Sequence, residues 1–270
     1  MDNRPVGIFD SGFGGLTALK ALREMMPDEN IIYFGDNGRA PYGGRSAEQL
    51  KAMARQDLAF VSGLGVKAVI VACGTLSCAA ADVLDECSLL LSGVLNASVN
   101  VLRQLDGTSP LGIIATEASI RSGAFKAALR SAFPEREIVD FACPEFVPLI
   151  ESGHISPDDP LLTAAVERAL APLKACRPGT LLLGCTHYGI IGDAISAYLG
   201  SDVKLVSASE CAAQEMRDRL VSSGTTGGKG RTRYLTSGSA EDFSKVASVI
   251  LGMDGIRAEH IPPMEVEYIC

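Results

Sequence analysis

Short apolar runs alternate with longer amphipathic stretches along nearly the whole chain. Residues 5–9, 31–34 and 68–72 are compact, β-rich apolar runs. Between them, residues 16–25 and 47–64 carry apolar positions at helical spacing. Ser46, with Gln49 three residues on, reads as a capping box for the second of these helices. The second half repeats the rhythm: 111–115, 137–141, 180–184 and 203–206 read as strands, 120–133 and 160–173 as helices. Asp159 and Pro160 supply the cap and first-turn residues of the last helix. A helix opening near Ser207, with Glu210 completing a capping box, precedes a glycine-rich loop over 222–230. A strand over 232–236 and a helix over 241–251 follow. Strands and helices in strict alternation predict an α/β fold with mainly parallel sheets flanked by crossover helices.

The pattern also repeats internally. Gly7-Ile8-Phe9-Asp10-Ser11 resembles Gly112-Ile113-Ile114-Ala115-Thr116, and the run ending at Cys73 (VIVAC) resembles the run ending at Cys185 (LLLGC). Two pseudo-symmetric domains are therefore expected, with a site in the cleft between them. The expected division places 1–97 together with 208–270 in one domain and 98–207 in the other, the tail packing back on the first half.

Composition narrows the function. With 270 residues and 47% hydrophobic content, the chain can bury a full core without staples. A net charge of −8 and no basic cluster argue against nucleic acid and anionic membrane as partners. The longest apolar neighbourhoods are too short to span a bilayer, and the polar opening followed directly by a strand leads us to expect no secretory leader. Eight cysteines without a leader imply a reducing, cytoplasmic setting. Cys73 and Cys78 are spaced C-x₄-C, and only three histidines are present, so no metal site is expected.

Cys73 and Cys185 carry the chemistry. Each ends an apolar strand and is followed at once by small polar residues and a helical pattern, where free backbone N–H groups favour a thiolate. A lone cysteine in a buried strand is ordinarily a small hydrophobe. Two in matching places of two similar halves point instead to one acid/base on each face of a substrate, as inversion of a carbon centre requires. The other six are expected to be structural. His187, two residues after Cys185, could orient or protonate that thiol, or be a structural histidine. Asp10 ends the first strand and opens the turn Ser11-Gly12-Phe13-Gly14-Gly15, which could hold an anion or polarise a thiol. The same turn partly mimics a dinucleotide fingerprint, but Thr17 stands where glycine or alanine is required. Tyr42 and Gly43 could bind a carboxylate or form an ordinary loop, and Glu151 is a further acid/base or a solvated helix end.

Taken together, GIFDSGFGGL, YFGDNGRAPYGGRS, VACGTLSC, GIIATEASI, VPLIESG and LLLGCTHYG, in this order, resemble the glutamate racemase branch of the aspartate/glutamate racemase superfamily. The resemblance covers most of residues 5–210. It implies two α/β domains, no cofactor, and interconversion of L- and D-glutamate for peptidoglycan, with a small-molecule substrate and a homodimeric assembly. It assigns Cys73 and Cys185 as the two bases, with Asp10, His187 and Glu151 assisting. Ser11, Tyr42, Gly43, Gly74, Thr75, Ser119 and Thr186 would bind substrate, along with Asp10 and His187. Several positions depart from the family pattern. Gly74 replaces a usual asparagine, Leu76 a usual alanine expected to bear on the pocket, Asn37 and Ser119 usual threonines, and Ser207 a usual aspartate. The resemblance therefore implies retained proton chemistry with an altered binding set, and leaves open a racemase of another amino acid or a diverged ligand- or protein-binding module.

Overall fold

The computed structural model describes residues 1–105 and 107–262, so the expectation that Cys270 is structural lies outside the described residues. Among the described residues, ten strands form two sheets in which every neighbouring pair is parallel. The first sheet holds β1 (Val6–Asp10), β2 (Ile31–Gly35), β3 (Ala68–Val71) and β4 (Leu90–Gly93), and gains β9 (Thr232–Thr236) and β10 (Ala258–His260). Its order is β10-β9-β2-β1-β3-β4. The second holds β5 (Leu111–Ala115), β6 (Ile138–Ala142), β7 (Thr180–Leu183) and β8 (Lys204–Ser207), in the order β6-β5-β7-β8.

The order β2-β1-β3-β4 recurs as β6-β5-β7-β8, so the two sheets are topological copies. The weak sequence repeat falls where this equivalence requires: β1 matches β5, and the strand before Cys73 matches the strand before Cys185. Equivalent glycines share one physical reason. A Cβ on Gly7 would lie 2.4 Å from Val61 in the helix Ala47–Gly63, and one on Gly112 would lie 2.8 Å from Leu173 in the helix Pro160–Ala175. In each half a helix lies directly on the central strand.

Alternate residues of each strand feed different cores, because successive side chains point to opposite faces. Val6, Ile8, Ile31 and Tyr33 pack into one cluster; Phe9, Ile32 and Phe34 pack into another around Leu50, Met53 and Leu58. Both faces are buried, as parallel sheets require. Leu111, Ile113 and Leu182 of the second sheet join the first of these clusters, so the facing sides of the two sheets share one core. The helix Ala208–Ser223, reached after β8, packs on the helices Leu16–Met25 and Val94–Leu102 within it.

Helix starts follow the sequence signals. Ser46 Oγ accepts from Gln49 N and Gln49 Oε1 accepts from Ser46 N, a full capping box. Asp159 accepts from Leu161 N and Leu162 N, with Pro160 in the first turn. Ser207 Oγ accepts from Glu210 N. Three differences stand out. The expected helix over 120–133 is two helices, Glu117–Ser122 and Ala124–Ala132, parted by Gly123 at φ +69°. The strand β4 was not anticipated: LLSG is short, half-exposed and poor in β-branched residues. The edge strand β10 is only three residues long.

Candidate active site

The carboxyl ends of β1, β3, β5 and β7 converge on one cavity of about 540 Å³ between the two halves. Parallel sheets place sites there because the strand-to-helix turns leave their backbone groups open to a ligand. Cys73 follows β3 and precedes the short helix Gly74–Ala79; Cys185 follows β7 and precedes the 3₁₀ turn Thr186–Ile191. Their exposures are 3% and 8%, and both line the cavity.

Each thiol has its own ionisable partner. Asp10 is buried, and its carboxylate accepts from Ser11 N at 2.8 Å and Gly15 N at 2.7 Å. Burial raises its carboxyl, while the charge of His187, the two backbone bonds and a bond from Cys73 act the other way. Cys73 Sγ lies 3.5 Å from Ser11 Oγ. Burial, and then the charge of Asp10, push the Cys73 thiol well up, which favours the protonated form. On the opposite wall Cys185 Sγ lies 3.8 Å from His187 Nδ1, and His187 Nε2 lies 3.1 Å from Glu151 Oε1. Burial would lower the imidazole. The bonds to Cys185 and Glu151 and the charges of Cys185 and Asp10 outweigh it and raise it to about 10. The cavity thus has a thiol beside a carboxylate on one side and a thiol beside an imidazolium on the other.

The remaining sequence candidates also line the cavity. Ser11, Tyr42, Gly43, Gly74 and Thr75 come from the first half, Ser119, Glu151 and Thr186 from the second. Their environments differ from expectation at three points. The Tyr42 phenol is turned into the protein, between the buried carboxylates of Asp36 and Asp57, which Arg39 bridges. Residue 42 therefore does not turn its phenol toward a ligand. Leu76 points into the core beneath the first sheet and does not line the cavity, so it leaves the pocket unchanged. At Gly74 the missing asparagine is not merely a lost amide, because a Cβ there would meet the Gly184 carbonyl oxygen at 2.5 Å. Asn37 accepts from Thr236 Oγ1, and Ser207 is the helix cap already described; neither lines the cavity.

Residues that the sequence reading did not single out complete the wall. Thr116 bonds to Ser119 through their hydroxyls at 3.0 Å. It is the repeat mate of Ser11, so the internal repeat carried the signal. Cys143, Pro144, Val147 and Pro148 form an apolar side of the cavity. The helix Phe146–Glu151 that carries two of them is only six residues long and gave no periodic signal. The two halves also touch directly: Thr17 Oγ1 donates to Thr186 O at 3.1 Å. Among the described residues no group of three or more His, Cys, Asp and Glu could hold a metal ion, and no helix is long and apolar enough to cross a membrane.

Several known proteins resemble this chain in sequence and in fold. A sequence model of the Asp/Glu/hydantoin racemases matches residues 17–216. Glutamate racemase 2 of Caldanaerobacter subterraneus subsp. tengcongensis is 39% identical over 254 residues, 93% of this chain and 95% of that protein. The crystal structure of a glutamate racemase isoform from Bacillus anthracis superposes with a TM-score of 0.91 at 30% identity, covering 98% of this chain and all of that one. The glutamate racemase of Francisella tularensis in complex with D-glutamate superposes at 0.86 with 32% identity, covering 99% of each chain.

Proposed function

This chain belongs to the Asp/Glu/hydantoin racemase family, and on that premise we propose that it interconverts L- and D-glutamate by proton transfer between Cys73 and Cys185. The observation that carries the reading is the pair of thiols at equivalent strand ends of two copied sheets, facing one cavity, each beside a group of different charge.

In the proposed cycle Cys185, beside the His187 imidazolium, starts as the base, and Cys73, which burial and then the charge of Asp10 keep protonated, starts as the acid. With one enantiomer bound, Cys185 takes the α-proton. An S–H bond forms, the Cα–H bond breaks, and its electron pair spreads into the α-carboxylate as the carbon flattens. Cys73 then gives its proton to the opposite face, leaving Cys73 as thiolate and Cys185 as thiol. The other enantiomer runs the same steps backwards and restores the starting state. A thiolate beside the buried Asp10 carboxylate is strongly basic, which suits the return direction. Glu151 keeps His187 charged and oriented. Ser11, Thr75, Ser119 and Thr186, with the backbone of Tyr42, Gly43 and Gly74, bind the ammonium and the two carboxylates. The cell-wall supply of D-glutamate, a homodimeric assembly and a cytoplasmic location go with this proposal.

Proton NMR in D₂O with each glutamate enantiomer, alongside circular dichroism, tests it. The expected result is loss of the α-proton signal with decay of optical activity from both sides, and no inversion by Cys73→Ala or Cys185→Ala. Full inversion by either variant would remove the two-thiol mechanism. No exchange with glutamate, but exchange with another amino acid from a panel, would move the substrate.

A further inference from the structure

The turn over 11–15, between β1 and the helix Leu16–Met25, carries two adjacent glycines that face opposite ways. A Cβ on Gly15 would point inward, 2.8 Å from Asp10 Cβ and 2.9 Å from Ala72 Cβ. A Cβ on Gly14 would point across to the second half of the molecule. It would lie 2.5 Å from His187 Nδ1, 2.8 Å from His187 Cε1, and closest of all to Thr186 Oγ1. Gly14 does not have a positive φ, so its backbone alone would admit any residue. The ring opposite is what excludes a side chain. Gly14 itself does not line the cavity.

Both sides of this contact are held. Thr17 Oγ1 donates to Gly14 O at 2.7 Å and shares that proton with Thr186 O at 3.1 Å, while Thr17 N also donates to Gly14 O at 3.1 Å. Tyr33 Oη donates to Gly12 O at 2.8 Å, and Asp10 accepts from Ser11 N and Gly15 N. The turn that fixes the Asp10 carboxylate beside Cys73 is therefore the one that meets the imidazole beside Cys185. The ring is buried and has a partner at each end, Cys185 Sγ at 3.8 Å from Nδ1 and Glu151 Oε1 at 3.1 Å from Nε2. Cys185, Glu151 and Asp10 are the ionisable groups that act on it.

The geometry points to Gly14 as a positioning residue: its bare Cα seats the Nδ1–Cε1 edge of His187 and so holds the imidazole between Cys185 and Glu151. This rests on the two-thiol reading, in which that imidazole serves Cys185. Ordinary contact begins near 3.4 Å, so a methyl group at 14 displaces Nδ1 by about 1 Å. The two partners sit at opposite ends of the ring, so a shift of that size lengthens or misaligns at least one bond. Displacement of a participating group by about 1 Å can lower a rate by about 100-fold. The ring also loses what keeps it charged. Its bonds to Cys185 and Glu151 oppose burial, so a displaced imidazole gives up its proton at lower pH.

The test compares wild type, Gly14→Ala and Thr17→Val by two readouts. Circular dichroism follows inversion of each glutamate enantiomer. NMR of histidine-labelled protein follows protonation of the His187 ring, its signal identified by its absence from His187→Gln. Gly14→Ala is expected to lower kcat by about 100-fold with KM changed far less. It is also expected to lower the pH at which His187 loses its proton by about one pH unit or more. Thr17→Val keeps the side chain's size but removes the hydroxyl that ties Gly14 to Thr186, and is expected to shift both readouts the same way, more weakly. It decides the matter if Gly14→Ala does not fold. Gly63→Ala, whose Cβ meets nothing within 4 Å, is the control and keeps both wild-type values. Partial loss of folded protein lowers the apparent kcat and leaves the His187 titration in place. Folded variants that keep the wild-type titration, or that shift it with kcat unchanged, overturn the seat alone. Wild-type protein that exchanges no amino acid overturns the two-thiol reading, and the seat's part in catalysis with it.

Discussion

Asp57→Asn should stabilise this protein, and increasingly so as pH rises. Two buried carboxylates, Asp36 and Asp57, share one guanidinium, Arg39, and one hydroxyl, that of Tyr42. Ser237 Oγ also donates to Asp36. A hydroxyl has one proton and cannot donate to both acids. Burial, and then the charge of Asp36, push the Asp57 carboxyl from 3.8 up to about 8, Arg39 offsetting part of this. The protonated Asp57 donates to Tyr42 Oη, and Tyr42 donates to Asp36. The sign follows from this raised acid. Between about pH 4 and about pH 8 the folded chain holds a proton that the unfolded chain has released, so stability falls by about 1.4 kcal/mol per pH unit. Asparagine, with an N–H donor in place of the acid's O–H and a carbonyl acceptor like its own, matches the protonated acid's pattern and cannot ionise. The stability of Asp57→Asn relative to wild type should therefore grow by about 3 kcal/mol from about pH 5 to about pH 7. Any constant penalty from fitting the amide cancels in that comparison. Urea unfolding of both proteins across the range measures it. A pH-independent difference, or wild type gaining on the variant, would refute the argument and place an ionised Asp57 on Arg39. Because Tyr42 belongs to the loop that lines the cavity, the same proton holds part of the pocket wall in place.

His187→Gln should cut inversion strongly. Its histidine is raised from 6.5 to about 10, so the stability that the histidine contributes is complete below about pH 6.5 and lost as pH rises through about 10. The stability difference between wild type and variant, read by urea unfolding, should shrink across that window; a constant difference would contradict it. Glu151 is 40% exposed in its side chain, so Glu151→Gln should act mildly, lowering kcat by about tenfold or less with KM little changed. Abolished activity would make Glu151 a direct participant. Lys67→Met should destabilise by about 3–5 kcal/mol, because it strands Glu29, its buried partner at 2.7 Å. A lowered unfolding midpoint with unchanged kcat is the expected pattern.

The parts of the fold written in local pattern were legible in the sequence. Strands β1, β5 and β9 and the helix starts at Ser46 and Asp159 follow from apolar runs and capping residues that act within a few positions. The meeting of the two thiols at one cavity was legible too, because Cys73 and Cys185 repeat one context twice. What escaped was set by contacts between distant residues. Nothing near Tyr42 announces that Asp57, on the following helix, will claim its phenol. Position 74 reads locally as a missing amide, and only the fold brings Gly184 against it. Leu76 reads as a pocket residue by its nearness to Cys73, but helical geometry turns it into the core. The break at Gly123 is a single left-handed residue inside an otherwise continuous amphipathic pattern.

The pairing of β2 with β9 reaches from Ile31 to Thr232. During synthesis, β2 therefore emerges long before its outer neighbour exists. Until then Ile31-Ile32-Tyr33-Phe34 presents a bare, apolar strand edge, the kind of template on which chains pair with one another. Closing so long a loop is also slow, which lengthens the exposure. A ribosome that stops ahead of β9 releases a polypeptide holding every proposed proton-transfer residue, yet with its first sheet open to its own kind. Truncation ahead of β9 should therefore lower soluble yield, although the strand that shields β2 lies far along the chain from the thiols.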